Sequence, residues 1–212
     1  MRMYELDQRR LYLCVGHRDD LAEFLPAVLR GGVDVVQLRE KDLDDEQRRA
    51  SGALMAAICR DFGVPFIMND SPYLAADVAA DGVHVGQDDV SVAVCRDVLG
   101  PNAIVGLSTH EREEFARSLE QPTTYRSAGP IVATPTKPGR TGTGVAYAID
   151  CTNRSDQPVF VTGAVNADNV ASLVHAGLRH FVVVRALTTA KDPYAAAVSI
   201  RRALDEAIAS VD

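Results

Sequence analysis

The sequence predicts an α/β architecture, a single (βα)8 TIM barrel spanning residues 1–212. Three observations carry that expectation. Eight short apolar runs alternate with helical patterns nearly throughout, which implies parallel strands joined by helical crossovers. Many of the runs are almost continuously apolar, as strands buried on both faces are. Five of them stop abruptly at a compact polar cluster, the layout of a ring of loops around one barrel mouth. An open doubly wound sheet is the rival fold, but it normally carries one early Gly-rich phosphate loop and a single switch point.

The elements follow in order. Residues 1–10 are polar and mixed in charge, an N-terminal extension. The first strand is 11–15. Asp20 then offers a cap for a helix striped by Leu21, Phe24, Leu25, Val28 and Leu29, which Gly31-Gly32 ends. The second strand is 33–38. Asp44 caps the next helix, with Ala50, Ala53, Leu54, Ala57 and Ile58 as its apolar stripe and Gly63 at its end. Strands at 65–68, 82–85 and 103–107 precede helices at 72–80, 91–99 and 112–119. The sixth strand, 124–128, contains a polar Arg126-Ser127 pair for which the pattern offers no account. Residues 137–157 are rich in Gly, Thr and Asp and read as a flexible loop region with a short or frayed helix. Strands at 158–161 and 180–184 and helices at 168–176 and 193–209 complete the count.

Bulk composition excludes several function classes. The chain carries 22 Lys and Arg against 29 Asp and Glu, a net charge of −7, with no basic block. That is the wrong footprint for a nucleic-acid binder. No apolar run reaches the ~20 residues that cross a bilayer. The N-terminus lacks a secretory pattern, so a cytoplasmic location without membrane partners is expected. Cys14, Cys59, Cys95 and Cys151 are scattered, without metal or disulfide spacing, as for buried thiols in a reducing compartment. Small-molecule substrates are the expected partners, and a homo-oligomer is compatible with the sequence.

The polar clusters hold the chemistry. Gln37, Arg39 and Lys41 alternate along the second strand and its exit, so they share one face, while Val36, Leu38 and Glu40 take the other. Arg39 suits bidentate phosphate recognition and Lys41 adds a point charge. An internal ion pair of Arg39 with Glu40 or Asp70 is the plain alternative. Asp70 and Asp89 end consecutive strands, which lie ~4.8 Å apart, so both can reach one hard cation. Asp88 competes with Asp89, and Asp70 could instead cap a helix. Asn69 and Ser108 are neutral donors beside this pair. His110 reads as a surface or cap-region residue and His84 as a hydrogen-bonded core histidine. Thr134-Pro135-Thr136-Lys137 is dense in hydroxyls and ends on a cation. Gly163, Val184 and Arg185 follow strands seven and eight, where barrels often bind phosphate, and Asn166 or Asp168 could cap the helix between them.

Taken together, 36–41, Asn69-Asp70, 82–89, 108–110, Gly129-Pro130 and 134–139 resemble the thiamine phosphate synthase family, in order and over nearly the whole chain. The resemblance implies a barrel enzyme that couples 4-amino-2-methyl-5-hydroxymethylpyrimidine diphosphate with a thiazole phosphate, releasing pyrophosphate with Mg²⁺ as cofactor. It implies that Gln37, Leu38, Arg39, Glu40, Lys41, Asn69, Ser108 and Lys137 contact the pyrimidine diphosphate. Among these, Ser108, Lys137, Arg39 and Lys41 carry the catalysis. It makes Asp70 and Asp89 the Mg²⁺ ligands. It places Thr134, Pro135, Thr136, Gly163, Val184 and Arg185 at the thiazole phosphate. Two positions depart from the family pattern: Ala164 stands where a second glycine is usual, and Arg185 where serine is usual. A thiazole phosphate tautomerase-like isomerase would need only the second anion site. A non-catalytic phosphate-binding regulatory barrel would need neither step.

Overall fold

Eight parallel strands close into a barrel in strict chain order. They are β1 (Leu11–Val15), β2 (Val35–Leu38), β3 (Phe66–Asn69), β4 (Gly82–Val85), β5 (Ile104–Thr109), β6 (Tyr125–Ala128), β7 (Val159–Val161) and β8 (His180–Val183). Each pairs with the next, and β8 closes on β1 through Leu11 opposite Phe181. Around them run α1 (Leu21–Arg30), α2 (Asp45–Phe62), α3 (Pro72–Asp77), α4 (Val92–Leu99), α5 (Arg112–Ser118), α6 (Val145–Arg154), α7 (Val170–His175), α8 (Arg185–Thr188) and α9 (Pro193–Ala209). The computed structural model describes residues 4–133 and 141–211.

Strand periodicity sorts the side chains. One parity points outward, where Leu13, Val36, Leu38, Met68, Val83 and Leu107 pack on the helices. Each such burial is worth ~1.5–3 kcal/mol. The other parity points inward and forms two layers. The lower layer is apolar and aromatic: Tyr12, Val35, Ile67, Ile104, Tyr125 and Phe160. Leu6, on a short 3₁₀ turn (Leu6–Gln8), completes that layer. Part of the polar N-terminal extension therefore stops the barrel floor. The upper layer is polar yet buried, with Gln37, Asn69, His84, Ser108 and Ser127.

Four local features differ from the sequence reading. Within the segment read as a flexible loop with a short or frayed helix, residues 145–154 form a regular ten-residue helix, α6, because Tyr147, Ala148 and Cys151 bury one face. The Tyr147 hydroxyl also lies 2.9 Å from Thr109 Oγ1. Asp20 does not cap α1 through its side chain, because its carboxylate is held by the Arg18 guanidinium at 2.6 and 2.9 Å. Residues 33 and 34 precede β2 rather than belonging to it. Asp34 instead accepts from the Arg10 and Leu11 amides and meets Arg201. Arg126 has a clear role: outward-facing and buried, it donates to Ser118 Oγ at 2.9 Å, Ser118 O at 2.7 Å and Gln157 Oε1 at 2.8 Å. It thereby adds a charged donor to a carbonyl at the C-terminal end of α5, which also accepts from the Gln121 amide at 3.2 Å and where a cation is favoured. Asp44 caps α2 as the sequence indicated, in a reciprocal capping box with Gln47. Among the described residues, no helix is long and apolar enough to cross a membrane.

Candidate active site

The polar layer opens into a cavity of about 840 Å³ at the C-terminal ends of the strands. The exit of β2 lays Gln37, Arg39 and Lys41 along its wall, as strand alternation requires. Leu38 has the opposite parity and is buried against the helices. Glu40 also turns away: its carboxylate accepts from the His17 amide and, at 3.0 Å, from the Asp42 amide. Burial raises the Glu40 carboxyl, but these donors outweigh it and hold it below the usual range. Glu40 thus fixes the loop that presents its neighbours. Among the described residues no ion pair engages the Arg39 guanidinium. A half-buried cation facing a cavity in that condition is matched to an anion.

Asp70 and Asp89 meet across the adjacent wall. Asp70 adopts the left-handed conformation, φ 62°, and its amide donates to His84 O at 2.8 Å. The cap of α3 is Ser71, whose hydroxyl accepts from Leu74. That leaves the Asp70 carboxylate for the cavity. Burial raises its pKa, the facing Asp89 carboxylate raises it further, and Lys41 opposes both. Lys41 Nζ stands 3.2 Å from Asp70 Oδ2. Asp89 is oriented by the Gly86 amide at 2.7 Å. Asp88 lines the same cavity, but it is Asp89 that crowds Asp70. Two carboxylates forced together beside solvent form a donor set for a hard divalent cation that keeps waters or substrate oxygens. Among the described residues no group of three or more His, Cys, Asp or Glu could hold a metal alone. A hard cation held by this pair would need further oxygens from water or a bound ligand.

Ser108 ends the inward parity of β5. Its hydroxyl lies 2.8 Å from His84 Nε2 and 3.4 Å from Ser127 Oγ. Its carbonyl accepts from Gln87 Nε2 at 2.7 Å. His84 is the hydrogen-bonded, buried histidine that its apolar setting suggested, but it also lines the cavity. His110 lines the rim and is tied to Glu114 at the start of α5, with Nδ1 to Oε2 at 2.9 Å. Opposite, Gly163 (φ 119°), Ala164 (φ 55°), Val184 and Arg185 bound the cavity. Ala164 occupies a conformation that costs a non-glycine residue ~1–2 kcal/mol, so the position's suitability for glycine has a plain backbone cause. The Asn166 and Asn169 side-chain Nδ2 groups secure it by donating to Ala164 O. The Asn166 side chain also accepts from the Asp168 and Asn169 amides, but it does so ahead of α7 rather than as its cap. Thr134, Pro135, Thr136 and Lys137 lie outside the described residues.

Tyr12, Cys14, Tyr125, Ser127 and Thr162 also line the cavity, and the sequence does not mark any of them as a site residue. Their signal was parity: Tyr12 and Cys14 alternate on β1 as Gln37 and Arg39 do on β2.

The sequence model of the thiamine monophosphate synthase family matches residues 11–187. The chain belongs to that family. A thiamine-phosphate synthase from Thermobifida fusca is 41% identical over 210 residues, covering 97% of this chain and 96% of that protein. Another family member, from Thermosynechococcus vestitus, is 35% identical over 205 residues; the match takes 97% of this chain but only 58% of that longer protein. A solved thiamine phosphate pyrophosphorylase from Pyrococcus furiosus superposes with a TM-score of 0.85 at 24% identity, covering 94% of this chain and 96% of its own. That likeness concerns the barrel fold.

Proposed function

We propose that this mouth joins a hydroxymethylpyrimidine diphosphate to a thiazole phosphate, giving thiamine phosphate and pyrophosphate. The observation that carries the reading is one cavity wall bearing Arg39, Lys41, Asn69, the Asp70–Asp89 pair and Ser108. Asp70 and Asp89 would hold Mg²⁺, which supplies positive charge against the diphosphate oxygens.

The remaining work belongs to the chain. Arg39 and Lys41 take the terminal phosphate charge, and Ser108 donates to an oxygen of the departing group. The C–O bond of the pyrimidine methylene breaks with both electrons leaving on pyrophosphate. The electron-rich aminopyrimidine, beside Gln37 and Asn69, carries the positive charge left on carbon. The thiazole nitrogen then supplies the pair for the new C–N bond, held close by its phosphate. Backbone amides near Gly163 and Ala164 and at the start of α8, with Arg185, are the candidates for that phosphate. By family resemblance Lys137, Thr134, Pro135 and Thr136 complete the two subsites. No protein nucleophile enters the scheme.

Incubating the protein with both substrates and Mg²⁺, then measuring thiamine phosphate and pyrophosphate, tests the reading. Stoichiometric formation of both supports it. Turnover of the thiazole phosphate tautomer alone would instead indicate the isomerase, and binding without turnover a regulatory barrel.

A further inference from the structure

A continuous hydrogen-bonded path crosses the barrel beneath the cavity and ends on Ser108. Gln37 Nε2 donates to the Tyr12 hydroxyl at 3.1 Å. The Tyr12 and Tyr125 hydroxyls are 2.9 Å apart. Tyr125 Oη lies 2.8 Å from His84 Nδ1, and His84 Nε2 lies 2.8 Å from Ser108 Oγ. At the far end the Cys14 thiol donates to Gln37 Oε1 at 3.1 Å, which turns the amide nitrogen toward Tyr12. These groups come from β1, β2, β4, β5 and β6, and all are buried.

The donor inventory gives the path one direction. An amide nitrogen can only donate, so Tyr12 accepts from Gln37; its buried proton needs an acceptor, and among the described residues Tyr125 Oη at 2.9 Å supplies it. Tyr125 in turn donates to His84 Nδ1. An imidazole that accepts at Nδ1 carries its proton at Nε2, and that proton points at Ser108. Ser108 therefore accepts from His84, and also from Ser127 at 3.4 Å. With both acceptor sites filled, its own proton faces the cavity. Burial keeps both phenols protonated, pushing each well above the usual tyrosine value.

The surroundings hold this geometry. The His84 and Tyr125 rings stack at an interplanar angle of 26°. Phe160 packs edge-on against both Tyr12 and Tyr125. Gly106 on β5 leaves the space: a Cβ there would stand 2.1 Å from Tyr125 Cζ and 2.5 Å from His84 Nδ1. Any larger residue at 106 would break the path at its centre.

We propose that Tyr125 and His84 are positioning residues that lock Ser108 as a hydrogen-bond donor toward the anion in the mouth. This rests on the reading of Ser108 as a donor to departing pyrophosphate. In Tyr125→Phe the ring remains but the proton offered to Nδ1 is gone. The imidazole is then free to carry its proton at Nδ1 and to draw the Ser108 proton inward.

Two measurements test the proposal. The ¹⁵N shifts of histidine-labelled wild-type protein report the tautomer; a proton on Nε2 of His84 is expected, and a proton on Nδ1 overturns the proposal. The second is a double-mutant cycle in kcat with Ser108→Ala. Ser108→Ala should lower kcat about 100-fold, the loss typical of one such donor. Tyr125→Phe should lower it about 10-fold, part of that donor's effect, with KM for the pyrimidine diphosphate held within about 2-fold. In the Ser108→Ala background Tyr125→Phe should cost nothing further. An additive second loss, or full turnover by Ser108→Ala, overturns the proposal. Absence of thiamine phosphate from the wild type would instead defeat the functional reading, and the tautomer would still judge the path.

Discussion

Replacing Asp70 by Asn separates the cation site from the fold that carries it. Asn is the right probe because it tolerates the left-handed backbone at φ 62°. Ala would add strain there and confuse the outcome. Without metal the change removes an ion pair to Lys41 at 3.2 Å, whose partners are 53% and 28% exposed in their side chains. Such a pair is worth no more than about 1 kcal/mol. The change also removes a half-buried carboxylate that burial and Asp89 disfavour. The two effects oppose, so the metal-free variant should match the wild type within about 1 kcal/mol. Mg²⁺ should discriminate them. For a site of about 1 mM affinity, 10 mM Mg²⁺ stabilises the wild type by about 1.4 kcal/mol. In a chain of this length that is roughly 3–6 °C in melting temperature. Asp70→Asn should lose most of that increment and about 100-fold of turnover. Thermal melts with and without Mg²⁺, paired with the pyrophosphate assay, measure both. An Asp70→Asn variant that keeps its Mg²⁺ increment and its rate would refute the assignment.

Three further outcomes are expected. Burial pushes His180 down to about 4, with Nδ1 donating to Arg9 O at 2.6 Å and Nε2 facing Arg10 at 3.1 Å. The unfolded chain takes this proton near pH 6.5 and the folded one only near 4, so stability is full above 6.5 and lost as pH falls between them. The loss reaches about 3 kcal/mol, and denaturant titrations of wild type and His180→Asn at pH 7 and 4.5 should differ by that slope. Arg126→Leu removes the charged donors to Ser118 and Gln157, which keep the Gln121 amide and Thr123 as partners; it should cost about 1.5–3 kcal/mol, while kcat/KM at 25 °C stays unchanged. Gly163→Ala forces a Cβ to 2.5 Å from the Ile131 amide nitrogen at φ 119°; it should lower the melting temperature and raise KM for the thiazole phosphate more than for the pyrimidine diphosphate.

The barrel was legible in the sequence because its outer parity is unbroken over most strands. Val36 and Leu38, or Val83 and Val85, are apolar on the helix-facing side whatever lies within. The glycine after α2 and the Asp44 capping box carried their own local signals. Helix α6 showed only as a short or frayed helix because its buried face is built from Tyr147, Ala148 and Cys151, small or amphipathic residues among polar ones. Four-residue α8 is too short to show a period. Arg126 broke the outer parity, and only the C-terminal end of α5 gave it a reason. At the mouth, Arg39, Lys41, Asn69, Asp70, Asp89 and Ser108 stood out as charge or hydroxyl at strand ends. Tyr12 and Tyr125 did not, because aromatic residues inside strands look like core.

Both tyrosines are core, and that is why they matter. The inward parity changes character within single strands: Tyr12 to Cys14, Val35 to Gln37, Ile67 to Asn69, Ile104 through Gly106 to Ser108. Below the change, apolar burial stabilises the barrel; above it, each buried polar group needs a partner or a ligand. Tyr12 and Tyr125 sit at the boundary, with rings in the apolar layer and hydroxyls in the polar one. They connect the part of the protein that holds the barrel shut to Ser108, the side chain proposed to face the substrate. Among the described residues, two of the three left-handed non-glycine positions, Asp70 and Ala164, lie just above that boundary, while Ala79 follows the end of α3. Strain at a cavity wall persists only where surrounding structure over-determines it, and here the His84 carbonyl secures Asp70 while the Asn166 and Asn169 side-chain Nδ2 groups secure Ala164. Backbone rules and burial rules are therefore broken at the same height in the barrel, on opposite walls, at the residues assigned to the two substrates.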